Sequence, residues 1–438
     1  MASSSSAIHC FLLLSIALFS VCHFPTTSQA LKIIPRSFIL PIKKDPATNL
    51  FYTSLGVGTP RQNFNLAIDL AGETLWYESD THYNSSSYRP IQCGSKRCTE
   101  TICANCSGPF KPGCTNNTCL ASTTNTLSKF IFGGTLGEDT IFFSKFQLPG
   151  LLAGYFDTDK LSPFFIGDNS PFFGLPKTTK GIIGLARSQL ALPLQLAEAN
   201  KLPAKFSLCL PSSSNKQGFT NLLMNHVEEH YKSVEFQTTP LIVNPVATGA
   251  VTIPGGASQE YFIDVKSVLI NGNVLNLKPS MLSIDKKGNG GTKISTISAF
   301  TELQSSVYRI FIREYLKAAS DSKLKRVAAV APFEACYDST TIFNTLAGLN
   351  VPTIDLVMQG GAQWKILGAN AMVMVKKNVA CLAIVDGGTE PRMSAVKASI
   401  VVGAHQLEDN LLVFDLASSK LSFSSTLLLY SLSCSSSS

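Results

Sequence analysis

A pattern of apolar strand, tight turn and distant glycine occurs twice in this chain. The first copy is Ala67-Ile68-Asp69-Leu70-Ala71-Gly72, with Ile182-Ile183-Gly184 downstream; the second is Lys293-Ile294-Ser295-Thr296-Ile297-Ser298, with Val401-Val402-Gly403 downstream. The separations nearly agree, 115 residues from Asp69 to Gly184 and 108 from Ser295 to Gly403. A repeat of that length implies two copies of one folding unit, each large enough for its own core. Asp69 and Ser295 stand at equivalent points, so one copy offers a carboxyl where the other offers a hydroxyl.

Between these landmarks, short β-branched and aromatic runs alternate with Gly, Pro, Asn and Ser, as at Phe51 to Leu55, Tyr261 to Val265 and Leu411 to Phe414. That rhythm predicts an all-β protein of many short strands. Val268 to Val274 predicts a hairpin, because Asn271-Gly272 readily takes the positive φ angles of a type I′ turn. Two helices are expected: Leu192 to Leu202, and Ser306 to Ala318 with Tyr308, Phe311, Ile312 and Tyr315 along one side. A composition change between Lys232 and Pro254 marks the expected boundary between an N-terminal lobe, 31–235, and a C-terminal lobe, 236–438.

Residues 1–30 contain no Lys, Arg, Asp or Glu, carry an apolar run from Ile8 to Val21 and end in Ser28-Gln29-Ala30. This reads as a secretory signal peptide. The competing reading, an uncleaved anchor, needs ~20 unbroken apolar residues, and serines interrupt this run. The net charge of +7 therefore lies wholly in residues 31–438. Excess base outside the cell favours acidic surfaces such as pectin-rich walls or acidic partner proteins. With charged residues at 15% and no Lys/Arg cluster interleaved with aromatics, a nucleic-acid partner is not expected.

Of 12 cysteines, Cys10 and Cys22 fall in the leader, and six crowd together as Cys93, Cys98, Cys103, Cys106, Cys114 and Cys119. Cys103-x-x-Cys106 has metal-like spacing, but an oxidising compartment favours disulfides over a zinc site. Sequons at Asn84, Asn105 and Asn116 cluster in the same stretch, as a glycosylated surface loop would. No metal or cofactor is implied.

The Asp69-Leu70-Ala71-Gly72 turn resembles the D-T/S-G turns of pepsin-like aspartic proteases, whose two lobes each donate an Asp. Further segments are similar to the plant xylanase-inhibitor, extracellular dermal glycoprotein and basic 7S globulin group. They are Asn116 to Cys119, Gly290 to Thr296, Val330 to Cys336, Val385 to Gly388 and, most specifically, His405 to Leu416. The resemblance runs from about Ser37 to Cys434. It implies a bilobal pepsin-like fold of two six-stranded-type β-barrel lobes with few short helices. It also implies disulfides Cys336 to Cys381 and Cys209 to Cys434, with three bridges inside the six-cysteine cluster. Relatives carry two further cysteines, one where Ser79 stands and one near Phe146; their joint absence reads as one bridge lost as a pair.

Aspartic-protease chemistry needs two carboxyls sharing a proton, one activating water and one polarising the scissile carbonyl. Ser295 cannot ionise as a carboxyl, so Asp69 is left without a partner. Leu70 replaces the hydroxyl that cross-braces the two turns in active relatives, while Ala71 and Ile297 replace glycines. The strand from Phe130 to Thr140 matches the one after a protease flap but contains no tyrosine. Asp386-Gly387-Gly388 mimics an active turn, yet lies only 17 residues before Gly403; it reads as part of a turn after a strand holding Cys381. Only Leu31 to Leu50 separate the leader from Phe51, which leaves scant room for an inhibitory pro-segment.

The resemblance thus implies a non-catalytic secreted protein of the apoplast or cell wall, an inhibitor of microbial endoglycanases of the family 11 or 12 type, monomeric and with no membrane partner. A basic side chain on a rigid loop would enter the glycosidase cleft, where two carboxylates concentrate negative charge. Arg392, stiffened by Pro391, is the contact candidate; its competing reading is a solvated surface charge with Glu390 beside it. His405 reads as structural. The alternatives are a storage or ligand-binding globulin that holds peptides or wall polymers, and an active endopeptidase.

Overall fold

The structure is a computed structural model that describes residues 37–79, 83–98, 103–104, 118–128, 130–144, 146–156, 170–223, 231–248, 256–389 and 397–435. Strands dominate it, as the alternating runs predict. In Phe38–Lys44, Phe38, Leu40 and Ile42 are buried while Ile39, Pro41 and Lys43 face out. That period of two is what a half-buried strand requires, and each buried side chain contributes roughly 1.5–3 kcal/mol.

A six-stranded antiparallel sheet ties the early and late parts of the chain together. In spatial order it contains Phe38–Lys44, Gly218–Leu222, Lys205–Cys209, Leu411–Asp415, Lys420–Phe423 and Gln237–Ile242. Phe206 and Phe414 stack at its middle with ring centroids 4.7 Å apart. The disulfide Cys209–Cys434 closes one end, and Cys336–Cys381 links two neighbouring strands elsewhere.

The duplication is visible as two copies of one strand crossing. Gln62–Asp69 runs parallel to Gly181–Gly184 with Asp69 opposite Gly184. Thr292–Ile294 runs parallel to Ile400–Val402 with Ile294 opposite Val402, which sets Ser295 beside Gly403 in the same register. In the first copy Trp76–Glu78 is parallel to Phe146–Phe156 and antiparallel to Gly181–Gly184. In the second, Thr301–Leu303 is parallel to Ile384–Asp386 and antiparallel to Ile400–Val402.

Both expected helices form. The first covers Leu192–Asn200 and stops two residues short of the expectation: Lys201 takes a left-handed φ of 55°, and Leu202 precedes Pro203, which disfavours helix at the residue before it. The second covers Ser305–Asp321, one residue longer than expected at its start, where the Gln304 side chain accepts from the Ser306 N–H as a cap, and three residues longer at its end. Its apolar side buries Val307, Tyr308, Phe311, Ile312 and Tyr315. Strands Val265–Ile270 and Asn273–Val274 form the predicted hairpin, with positive φ at Asn271 and Gly272. Gln237–Ile242 falls inside the segment of changed composition and pairs with both Phe262–Ile263 and Lys420–Phe423.

Candidate functional site

Two glycines allow the turns to approach their supporting strands. A Cβ on Gly184 would lie 2.3 Å from the Gly72 carbonyl oxygen, and one on Gly403 would lie 2.2 Å from the Phe300 carbonyl carbon. Neither site admits a side chain.

Within these turns the two equivalent side chains do the same local work. Asp69 Oδ1 accepts from the Ala71 N–H at 2.8 Å. Ser295 Oγ accepts from the Ile297 and Ser298 N–H groups at 3.3 and 3.1 Å. A hydroxyl thus holds the second turn, but it supplies no group that can ionise near neutral pH.

The cross-brace between turns survives in one direction. Thr296 Oγ1 accepts from the Leu70 N–H at 3.1 Å and donates to the Ile68 carbonyl at 2.7 Å. Leu70, fully buried, has no hydroxyl to return it. The loss at Leu70 shows in the sequence and the bond kept at Thr296 does not, although Thr296 keeps a hydroxyl at the position after Ser295. Thr296→Val would strand a buried N–H and a buried C=O, an expected loss of about 2 kcal/mol; equilibrium urea unfolding reads it.

Asp69 itself is fully buried, and burial pushes its pKa up from 3.8 to about 6. Hydrogen bonds from Thr126 and Ala71 pull the other way; farther off, Glu260 raises it slightly and Lys293 lowers it. Glu260 and Lys293 are themselves an ion pair at 2.7 Å.

The hairpin of Thr118–Asn125 and Phe130–Phe143 turns through Thr126, and the Thr126 hydroxyl donates to Asp69 Oδ2. Asn125, also fully buried, donates to the Pro171 and Phe173 carbonyls, both at 2.9 Å. The Trp76 indole N–H reaches the Thr124 carbonyl at 3.2 Å. The hairpin tip is therefore seated on the carboxyl, and both carboxyl oxygens are engaged from within the chain. A substrate peptide would have to displace it. Thr126 escaped sequence reasoning because nothing local marks a contact between residues 57 positions apart.

Asp386 ends the strand Ile384–Asp386 rather than sitting in a turn, because that strand is the second-copy equivalent of Phe146–Phe156. Its Oδ1 accepts from Ser305 Oγ at 2.6 Å and the Gly388 N–H at 2.8 Å, so it braces the start of a helix. His405 is buried between the Met372 carbonyl, 3.0 Å from Nε2, and Glu408, 3.2 Å from Nδ1. Both contacts tie the chain to itself, as a structural histidine does.

The disulfides Cys209–Cys434 and Cys336–Cys381 join the expected pairs, and Cys98–Cys119 is a bridge inside the cluster. Cys93 is also disulfide-bonded. Cys103 lies in a short strand opposite Cys119. Asn84 is exposed, as an acceptor of glycan must be. Cys106, Cys114, Asn105, Asn116, Pro391 and Arg392 lie outside the described residues. The base of the segment carrying Arg392 is described: Lys397 Nζ donates to the Gly387 and Gly388 carbonyls at 2.6 and 2.5 Å, clasping its two ends.

Fold and site together define a pepsin-like frame in which Asp69 holds the first turn and Ser295 the second. The chain matches the xylanase inhibitor N-terminal family over residues 51–222 and the xylanase inhibitor C-terminal family over residues 260–425. It is 39% identical to the probable aspartic proteinase GIP2 of Nicotiana benthamiana, across 99% of this chain and 98% of that protein. It is 32% identical to the basic 7S globulin of Glycine max, across 96% of both. The crystal structure of edgp shares 37% identity with a TM-score of 0.83, over 92% of this chain and 98% of that one. The chain belongs to the xylanase inhibitor family of the pepsin-like fold.

Proposed function

We propose that this protein is a secreted, catalytically silent member of its family that inhibits microbial endoglycanases, xylanases or xyloglucan endoglucanases, in the apoplast. The observation that carries the reading is the match of both halves to xylanase inhibitor families, joined to a second turn that offers Ser295 in place of an acid. Lobes 31–235 and 236–438, cleavage after residue 30 and glycans at Asn84, Asn105 and Asn116 are part of the same proposal.

Arg392 is the proposed contact. Its segment begins and ends at a clasp made by Lys397, and the Cys336–Cys381 bridge holds the neighbouring strand. A guanidinium held there would meet the paired carboxylates of a glycosidase cleft. The test is titration of purified protein against family 11 xylanases and family 12 xyloglucanases, beside Arg392→Ala. Truncating one partner of a buried charge pair weakens binding about thirtyfold or more. Unchanged inhibition by Arg392→Ala would remove Arg392 from the interface, and no inhibition by the unaltered protein would remove the function.

A storage or ligand-binding globulin is the second reading, favoured by the likeness to basic 7S globulin. The seating of Thr126 on Asp69 weighs against the Asp69 turn as the place where a peptide would bind. Accumulation in seed bodies supports storage; wound-induced secretion supports inhibition. Active proteolysis would show as cleavage of a denatured protein at acid pH that Asp69→Asn abolishes.

A further inference from the structure

The helix Ser305–Asp321 shows the solvent a row of cations. Its buried side is filled by Val307, Tyr308, Phe311, Ile312 and Tyr315. Its outer side carries Arg309, Arg313 and Lys317, all exposed. The four-residue interval places them on one face, about 6 Å apart along the axis. Lys323, Lys325 and Arg326, also exposed, continue the basic run past the helix end.

This segment accounts for much of the protein's charge. Residues 305–326 hold six Lys and Arg against Glu314 and Asp321, a net of +4 out of the chain's +7. Arg313 is paired with Glu314 at 2.9 Å, and Lys325 with Asp338 at 3.0 Å. Among the described residues, neither Arg309 nor Lys317 is drawn into an ion pair. A field of one sign concentrated on one rigid face is a footprint for a polyanion.

We propose that this face binds a linear carboxylated polysaccharide, a polyuronate of the cell-wall type, independently of any glycosidase contact. Three features select that chemistry over an acidic protein. The cations form a line on a rigid helix, which suits a chain bearing one carboxylate per sugar. None of the large exposed apolar side chains lies between residues 305 and 326, whereas a stable protein interface needs an apolar centre. The disulfides fit an oxidising compartment, and the similar proteins come from plants, whose walls are rich in polyuronate.

The experiment is retention of the full-length protein on immobilised unesterified polygalacturonate, with fully methyl-esterified pectin and poly-glutamate as comparison polymers. The expected result is binding at low ionic strength that disappears at about 1 M salt, where the screening length is about 3 Å, and no binding to the esterified polymer. The combined variant Arg309→Gln, Arg313→Gln and Lys317→Gln should bind about tenfold more weakly, since three exposed charge contacts are removed. A charge-matched control, Lys278→Gln, Lys286→Gln and Lys287→Gln, alters three exposed lysines elsewhere and should bind as the unaltered protein does. Near-ultraviolet circular dichroism checks that both variants keep the fold. Equal losses in the two variants would mean that net charge alone is read, and would overturn the proposal. So would absence of retention, or tighter binding to poly-glutamate.

Discussion

Replacing Cys209 and Cys434 together by alanine is expected to remove about 5 kcal/mol of stability, read as a fall in the urea midpoint of a two-state unfolding curve. The bridge closes a separation of 225 residues, so it removes more freedom from the unfolded chain than any other bridge described. Both cysteines are fully buried, in a small cluster with Phe219, Tyr231, Val234, Leu411 and Leu427. Cys434 N–H also donates to Asp409 Oδ1 at 2.9 Å, so the bridge fixes the C-terminal segment against the central sheet. Loss of Cys336–Cys381, which closes 45 residues, should cost about 4 kcal/mol by the same reasoning. A loss below about 2 kcal/mol for the longer bridge would mean that the sheet pairing of Lys205–Cys209 with Leu411–Asp415 holds the ends together unaided.

The frame of this fold was legible because its physical demands are repetitive. Two parallel strand pairs, each with an acid-position residue beside a glycine, need the same sequence spacing, and the landmarks around Asp69 and Ser295 supplied it. Leu192–Asn200 and Ser305–Asp321 were legible from apolar spacing, and their ends were missed where a left-handed residue or a capping glutamine decided them. The Asn271-Gly272 turn announced its hairpin because few residues accept positive φ. The closure of the site was not legible. Thr126 on Asp69, Asn125 on the Pro171 and Phe173 carbonyls, and Trp76 on the Thr124 carbonyl are single long-range hydrogen bonds with no periodicity behind them. Asp386 was misplaced for a related reason: Ile384–Asp386 is a strand only because Thr301–Leu303 lies beside it.

Between pH 4 and 7, stability of the unaltered protein is expected to fall relative to Asp69→Asn by about 3 kcal/mol. Burial raises the folded-state pKa of Asp69 from 3.8 to about 6, so within that window the folded protein holds a proton that the unfolded chain has released. Stability then declines as pH rises, by about 1.36 kcal/mol for each pH unit that separates the unfolded and folded pKa values, and the full cost is reached above pH 6. Asparagine carries no such cost. Its carbonyl can still accept from the Ala71 N–H, and its amide can donate to the Thr126 hydroxyl, so both contacts have a substitute. The measurement is urea unfolding of both proteins across that range, with the difference plotted against pH. A flat difference, or one that favours the unaltered protein as pH rises, would mean that the carboxylate is stabilised in place. Thr126→Val, which removes a bond to the charged form, should carry the decline to higher pH and enlarge the total loss. In a working pair the second carboxyl would share this proton and give the cost a catalytic use. With Ser295 holding the other turn, Asp69 is left as a buried acid whose charge opposes folding at neutral pH.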